Sequence, residues 1–151
     1  MDFEDVENKI LEELQTPTLQ GAPDMTYIAT CEHYAGQGFS EEDLQRMAVS
    51  FPAVFAILGD MPAEKQDELN YNFQPQFRIL AAAENARSRD DAKKDAYKIV
   101  KDILQVLTNR TLGLEIEKLT LTRVSLVYID DSRAVYGVEF QTNFDCQYAG
   151  G

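Results

Sequence analysis

The run from Tyr136 to Tyr148 has a period of two, in which Thr142 is the one polar member of an otherwise apolar side, and this constrains the fold more than any other feature. A period of two is typical of a β-strand. Leu119 to Ile129 and Arg133 to Tyr148 are therefore predicted to be two strands, joined at Asp130-Asp131-Ser132 in a hairpin. One face of the last strand should pack on helices, and the other should meet water or a polar interface.

Two longer segments have the apolar spacing of helices. Phe3, Val6, Ile10, Leu11 and Leu14 predict an amphipathic helix that ends before Thr16-Pro17. A second helix is predicted after Ser88, because Ser88, Asp90 and Asp91 can cap it. Its apolar face is spaced as a single stripe, formed by Ala92, Ala96, Ile99, Val100, Ile103, Leu104 and Leu107. A short helix is also predicted from Ser40, ending at Pro52.

Three further strands are predicted, over Met25 to Tyr34, Ala53 to Leu58 and Gln76 to Glu84. The middle one is continuously apolar, which is typical of a strand covered on both faces. The polar stretch from Asp60 to Gln74 is interpreted as a long excursion that could include one helical turn at Ala63 to Leu69.

These elements predict an α+β fold in one domain over residues 1–151. The sheet should be mostly antiparallel with four to five strands. Two or three helices should pack on one face, and the first helix and the helix after Ser88 should cover that side.

The charge of the chain excludes some partners. The formal net charge is −12, so binding of nucleic acid through phosphates and anchoring to a membrane by basic residues are both disfavoured. Residues 1–70 hold 15 acidic residues against three basic ones, whereas residues 71–151 hold 11 of each. A basic cluster lies around the helix after Ser88 and consists of Arg87, Arg89, Lys93, Lys94, Lys98 and Lys101. This polarity is either a solvated surface or a means for the acidic face of one copy to meet the basic face of another.

The N-terminus has no basic segment followed by an apolar one, and no apolar run is long enough to cross a membrane. A secretory signal and a membrane span are therefore not expected. Cys31 and Cys146 are predicted to be free thiols in a chain that is not exported.

Motifs that could carry chemistry have simpler structural explanations. Cys31-x-His33 is half of a metal site without a second half. Gly36-Gln37-Gly38 lacks the third glycine of a dinucleotide fingerprint, and acidic residues follow it. Asp90-Asp91 and Asp130-Asp131 are explained by a helix cap and a hairpin turn. No catalytic, metal-binding or cofactor-binding residue is predicted, and the chain is not expected to be an enzyme.

A series of short motifs runs through nearly the whole chain. In order they are Tyr34-Ala35-Gly36, Pro52-Ala53-Val54, Phe77-Arg78-Ile79-Leu80-Ala81-Ala82-Ala83, Asn85 and Arg87, Asp95-Ala96-Tyr97, Leu112-Gly113-Leu114-Glu115-Ile116, Leu119, Arg123-Val124, and Val135-Tyr136-Gly137-Val138-Glu139-Phe140-Gln141-Thr142. Their order and spacing resemble the Mu-like phage tail proteins, which are tail terminators of contractile-tailed phages and prophages.

The resemblance implies a virion structural protein without cofactor or catalysis. It would assemble in the host cytoplasm as a homo-oligomeric ring, expected to be hexameric, on the head-proximal end of the tail tube. Its partners would be further copies of itself, the tube protein, the neck or connector protein and in some cases the tail sheath. DNA would only pass through the lumen, and no membrane would be involved.

Candidate channel or interface positions follow from this expectation. The polar face of the last strand (Glu139, Gln141, Asn143 and Asp145) or the acidic first helix would line or border the channel. Arg87, Arg89, Lys93 and Lys94 would form a basic interface. Two alternatives stay open: another neck or head–tail joining subunit, and a small-molecule-binding or enzymatic α+β domain.

Overall fold

The structure is a computed structural model that describes residues 3–34 and 50–147. In chain order its elements are α1 (Phe3–Gln15), β1 (Thr30–His33), β2 (Ala53–Leu58), β3 (Ala63–Lys65), β4 (Asn70–Phe73), β5 (Gln76–Glu84), α2 (Arg89–Leu107), β6 (Thr120–Ile129), β7 (Arg133–Gln141) and β8 (Phe144–Gln147). The predicted short helix from Ser40, together with Gly36 and Gly38, lies outside the described residues.

The strands form two sheets. Sheet A has the order β1-β2-β5-β7-β6, and sheet B has the order β3-β4-β8. Only β1 and β2 pair in parallel; every other pair in the described part of the chain is antiparallel. The predicted α+β class with a mostly antiparallel sheet of about five strands is confirmed, and a second, smaller sheet is added to it.

The main core lies between sheet A and the two helices. The inward side chains of α1 and α2 form one buried cluster with alternate residues of β2, β5 and β7. The other face of sheet A carries a smaller cluster of Ala53, Phe55, Leu80, Ala82 and Val135. The prediction that both long helices cover one side is therefore confirmed, as is the interior position of the apolar strand β2.

Local signals fix both ends of α2, and the cap at Ser88 is the one that the sequence predicted. The Ser88 side chain accepts a hydrogen bond from Asp91 N at 3.1 Å, which satisfies a backbone donor in the first turn. After the helix, Asn109 adopts a positive φ of 62°, a conformation that asparagine tolerates and that helix ends commonly use.

The prediction of one last strand from Arg133 to Tyr148 is wrong. The chain leaves sheet A after Gln141 and enters sheet B at Phe144. Thr142 is buried at this crossing, where its hydroxyl donates to Glu117 O and its N–H donates to Pro75 O. Phe140 and Phe144 are both buried across the break, so the alternation continues although the sheet changes.

The Asp60 to Gln74 stretch is not an excursion with a helical turn. It contains the hairpin β3–β4, in which Ala63 pairs with Phe73 and Lys65 with Tyr71. The turn is held by Asp67, whose carboxylate accepts hydrogen bonds from Leu69 N and Asn70 N, both at 2.9 Å. An aspartate that bonds to the backbone two and three residues later favours a tight turn over a helix.

The first strand is shorter than predicted. Met25 to Ile28 form a turn in which Ile28 N donates to Met25 O at 3.1 Å, and the strand begins only at Thr30. Met25 is buried in the main core, so the apolar residues that suggested a strand fill space beneath α1 and α2 instead.

Candidate assembly surfaces

The basic residues predicted as an interface lie at the beginning of α2 and just before it. Arg87, Arg89 and Lys94 are exposed. Arg89 Nη2 lies 3.1 Å from Asp131 Oδ1 in the β6–β7 turn, where both side chains are open to solvent and the pair contributes little to stability. Lys93 Nζ lies 6.0 Å from the centre of the Tyr97 ring. These four residues form an accessible basic surface.

Lys98 belongs to the same predicted cluster but is tied to an internal contact. Its ammonium lies 3.6 Å from the centre of the Tyr27 ring and 3.2 Å from Asp102 Oδ2. The Tyr27 hydroxyl donates to the same carboxylate oxygen at 2.5 Å. Burial, together with the Asp102 carboxylate, raises the pKa of Tyr27 well above its usual value. The group joins the turn before β1 to α2, so Lys98 contacts residues of its own chain.

The four polar residues predicted on the last strand do not form one continuous face. Glu139 lies on the face of sheet A opposite the helices, 4.0 Å from Arg78 Nε. The Arg78 side chain crosses Gly137 so closely that a Cβ there would lie 2.8 Å from Arg78 Nε. Gln141 and Asn143 share a hollow beside Lys118 and Thr120. Asp145 is exposed on sheet B and accepts from Asn72 Nδ2 at 2.9 Å.

Two acidic residues that the sequence analysis did not single out join Asp145 in another hollow. Glu115 and Glu117 come from the segment before β6 and line it together with Asn72, Asn143 and Asp145. We call this group the acidic hollow. Its members come from three separate parts of the chain, so no spacing in the sequence could have placed them together. The hollow presents carboxylates and amides without a basic side chain among its lining residues.

A second surface, which no sequence pattern indicated, is apolar. Leu121, Val124 and Leu126 on β6 are between 37% and 50% exposed, and Tyr97 of α2 is exposed nearby. The Tyr97 and Tyr136 rings lie 5.2 Å apart, and Leu126 pairs with Tyr136 across the β6–β7 ladder. Burial raises the pKa of Tyr136 to about 12, and the hydrogen bond that its hydroxyl donates to Tyr97 acts in the same direction. We call Tyr97, Leu121, Val124 and Leu126 the β6 shelf.

An ion pair that the sequence did not suggest fixes α1. Glu13 is 2% exposed, and its Oε2 lies 3.1 Å from Arg110 Nη1. Thr18 donates to the same carboxylate from its N–H and its hydroxyl. Burial acts to raise the pKa of Glu13, but the hydrogen bonds from Thr18 and Arg110 outweigh it and lower the pKa overall. The charge is therefore compensated inside the fold and is not available to a partner.

The residues that could have carried chemistry have structural contacts. His33 Nδ1 lies 2.5 Å from Glu7 Oε1, and Nε2 lies 2.8 Å from Asn8 Oδ1, so the ring joins β1 to α1. Burial raises the pKa of the Cys31 thiol to about 11, which makes it a poor nucleophile at neutral pH. Both cysteines are thiols outside any disulfide bond. Among the described residues, no three His, Cys, Asp or Glu side chains are grouped so that they could hold a metal ion.

The acidic pairs have the structural roles predicted for them. Asp91 takes part in the N-cap of α2. Asp130 accepts from Ser132 N and Arg133 N in the β6–β7 turn. Burial acts to raise the pKa of Asp130, but these bonds, that from the Tyr128 hydroxyl and the charge of Arg133 lower it overall.

The comparisons with known proteins give one family. A family model described as "Bacteriophage Mu, Gp37" matches residues 4–148, which is nearly the whole chain. No curated protein sequence matches it. The family match supports a Mu-like phage protein with a structural, virion-associated role. Within the described ranges, no helix has the length and apolar character needed to cross a membrane.

Proposed function

Because the chain belongs to the Bacteriophage Mu Gp37 family, we propose that it is a tail terminator of a contractile-tailed phage or prophage. It caps the head-proximal end of the tail tube as a homo-oligomeric ring, expected to be hexameric, and joins the tube to the neck. The match over residues 4–148 carries this proposal. The proposal narrows the general structural role of the family to one place in the virion.

The surfaces of the molecule suit such a subunit. A ring needs heterologous contacts, in which one patch meets a different patch of the next copy. The chain has an accessible basic surface at Arg87, Arg89, Lys93 and Lys94. It also has the acidic hollow of Glu115, Glu117 and Asp145 at another place. Unlike surfaces on one chain also allow the tube protein, the neck protein and the tail sheath to bind without competing.

We assign to the channel the acidic hollow, with Gln141 next to it, and the separate polar position Glu139 on sheet A. DNA that passes through a lumen must not adhere, and carboxylates repel phosphates. The acids of α1 are less suited to this role, since Glu7 contacts His33, Glu12 contacts Lys9 and Glu13 is buried with Arg110. Glu115 and Glu117 strengthen the assignment, because they add charge beside Asp145.

Electron microscopy of phage tails made with and without the protein tests the proposal. We expect tails of irregular, extended length and without a cap when the protein is absent, and normal length when it is supplied again. Capped tails of normal length in its absence would disprove the terminator role. In tails made without heads, a label on the protein should appear at the head-proximal tip; a label found only once heads are attached would favour another neck subunit.

A charge reversal tests the channel assignment separately. The double variant Glu139→Lys plus Asp145→Lys should assemble but eject DNA poorly, because lysines would hold phosphates in the lumen. Glu4→Lys plus Glu12→Lys on α1 is the matched control and should eject normally. Normal ejection by the first variant would show that this surface lies outside the channel.

A further inference from the structure

We propose that the β6 shelf of one copy receives the β3–β4 hairpin of the next copy, so that successive copies associate head to tail. The proposal rests on the proposed function, which requires contacts between copies, and it names the surfaces that make them. Both surfaces belong to the described residues. The hairpin offers the edge of β3, whose other side pairs with β4, and the shelf offers exposed apolar side chains.

The shelf exists because the helix layer ends before the sheet does. Leu121, Val124 and Leu126 pair with Phe140, Val138 and Tyr136, so they point to the same face as the main core. The helix α2 packs on β7 and β5. It leaves the same face of β6 open, with Tyr97 at its border.

The strand edges are also open. In the described part of the chain, β6 is an edge strand of sheet A, and β3 is an edge strand of sheet B. All three residues of β3 are exposed. Two such edges can pair through main-chain hydrogen bonds, and side chains on either side then give specificity. The opposite edge of sheet A differs, because Gln15 Nε2 donates to Cys31 O at 2.9 Å and covers β1.

The hairpin supplies apolar side chains that match the shelf. Met61 and Leu69 flank the exposed edge of β3 and are themselves exposed. Seven large apolar side chains are exposed among the described residues. Six of them lie on these two surfaces, namely Met61, Leu69, Tyr97, Leu121, Val124 and Leu126. Concentration of exposed apolar side chains in two places is typical of interaction surfaces.

The charges of the two surfaces are opposite. Residues 60–69 hold four acidic side chains and one basic one. Residues 118–129 hold two basic side chains and no acidic one. Of these, Arg123 pairs with Glu139 and so lies on the other face of β6, whereas Lys93 lies beside Tyr97 on the shelf. Opposite charges steer two copies together and disfavour pairing of hairpin with hairpin or of shelf with shelf.

The placement of the surfaces favours a repeating contact. The hairpin continues from the end of β2, whereas β6 lies beyond β5 and β7 on the other side of sheet A. A copy can therefore bind one neighbour through its shelf and another through its hairpin. Contacts between unlike surfaces generate rings or filaments, and contacts between identical surfaces would stop at a dimer.

Two variants, each defective in one surface, test the proposal. Leu126→Glu alters the shelf, and Met61→Lys plus Leu69→Lys alters the hairpin; all three residues are on the surface. Sedimentation equilibrium over micromolar to millimolar concentrations should show association of the wild type and at least about tenfold weaker association of each variant alone. A mixture of the two variants should form a one-to-one pair, because one still has a hairpin and the other still has a shelf.

The control and the contrary outcomes are specific. Leu19→Glu, at a similarly exposed leucine outside both surfaces, should associate like the wild type. The proposal is overturned if the wild type stays monomeric throughout, if either variant alone associates like the wild type, or if the mixture forms no pair. Loss of tube-protein binding by Leu126→Glu with self-association intact would assign the shelf to that partner instead.

The tail-length experiment separates this proposal from the proposed function. Leu126→Glu should fail to restore normal tails where Leu19→Glu restores them. Restoration by Leu126→Glu would reject the interface and leave the terminator role standing. Association that behaves as described above, in a protein whose absence leaves tails normal, would reject the terminator role and keep the interface.

Discussion

Phe140 and Leu121 face each other across the β7–β6 ladder and point to the same side of sheet A, yet their environments differ completely. Phe140 is fully buried, whereas Leu121 is 37% exposed. The difference arises because α2 packs on β7, and the helix layer does not extend sideways over β6. An apolar side chain on a strand is therefore not by itself a sign of core, since one strand further along the same ladder it can be a surface for a partner.

The two edges of sheet A extend this comparison. At β1, the Gln15 amide covers Cys31 O, and His33 is joined to Glu7 and Asn8 of α1. At β6, ten residues run along an edge that no described strand or helix covers. Exposed strand edges invite pairing with other chains, so a protein that closes one edge and keeps the other open directs association to one side.

The largest expected effect tests buried against exposed apolar side chains. Phe140→Ala should lower the free energy of unfolding by about 4 kcal/mol, because it leaves a cavity in the main core. Leu121→Ala should lower it by less than about 1 kcal/mol in the monomer, since its partner surface is absent. Urea denaturation measures both. Equal losses at the two positions would show that β6 belongs to the core and not to an assembly surface.

The next effect concerns the helix that closes the β1 edge. Glu13→Ala should lower the free energy of unfolding by about 3 kcal/mol, since it leaves Arg110 without its buried partner. Glu12→Ala, one residue away and exposed, is the matched control and should change it by less than about 0.5 kcal/mol. Urea denaturation at neutral pH measures both variants.

The pH dependence sharpens the test of Glu13. Because its pKa is lower in the folded state than the ordinary 4.5, ionised Glu13 stabilises the fold above that pH. This stabilisation should fade as the pH falls below 4.5 toward the folded pKa. The difference in unfolding free energy between the wild type and Glu13→Gln should shrink over the same window. A difference that stays constant down to strongly acid pH would contradict the lowered pKa.

The smallest expected effect concerns the hydrogen bond by which Gln15 covers the edge of β1. Gln15→Ala removes the hydrogen bond to Cys31 O and should cost about 0.5–1 kcal/mol, because water can replace it at an exposed position. Gln105→Ala, on the exposed face of α2, should cost less. Unchanged stability would mean that Gln15 does not close this edge.

The sequence predicted elements whose boundaries are set locally. The exact bounds of β2 and β5 follow from short apolar runs next to proline, and Ser88 sets the beginning of α2. The break at Thr142 was missed because alternation reports which way side chains point and not which sheet the strand joins. The β3–β4 hairpin was missed because its strands are short and expose polar side chains.

The candidate surfaces were predicted only in part, for a related reason. The basic residues of α2 share one short segment, so the sequence shows them together. Glu115, Glu117 and Asp145 meet only through the fold. The β6 shelf depends on strand order, which periodicity does not contain. Sequence patterns therefore do not show which residues become neighbours through the strand order, whatever the chemistry of those residues.

The two hydrogen bonds of Thr142 have a geometric consequence. They join it to Glu117 O and Pro75 O and so hold the connection between sheet A, which carries the shelf, and sheet B, which carries the hairpin. In a head-to-tail assembly, this joint fixes the rotation that relates each copy to the next. A rotation that divides a full turn evenly closes a circle, and any other winds into a helix. The angle between the two sheets of one chain would then set the number of copies in a ring, and no separate template would be needed.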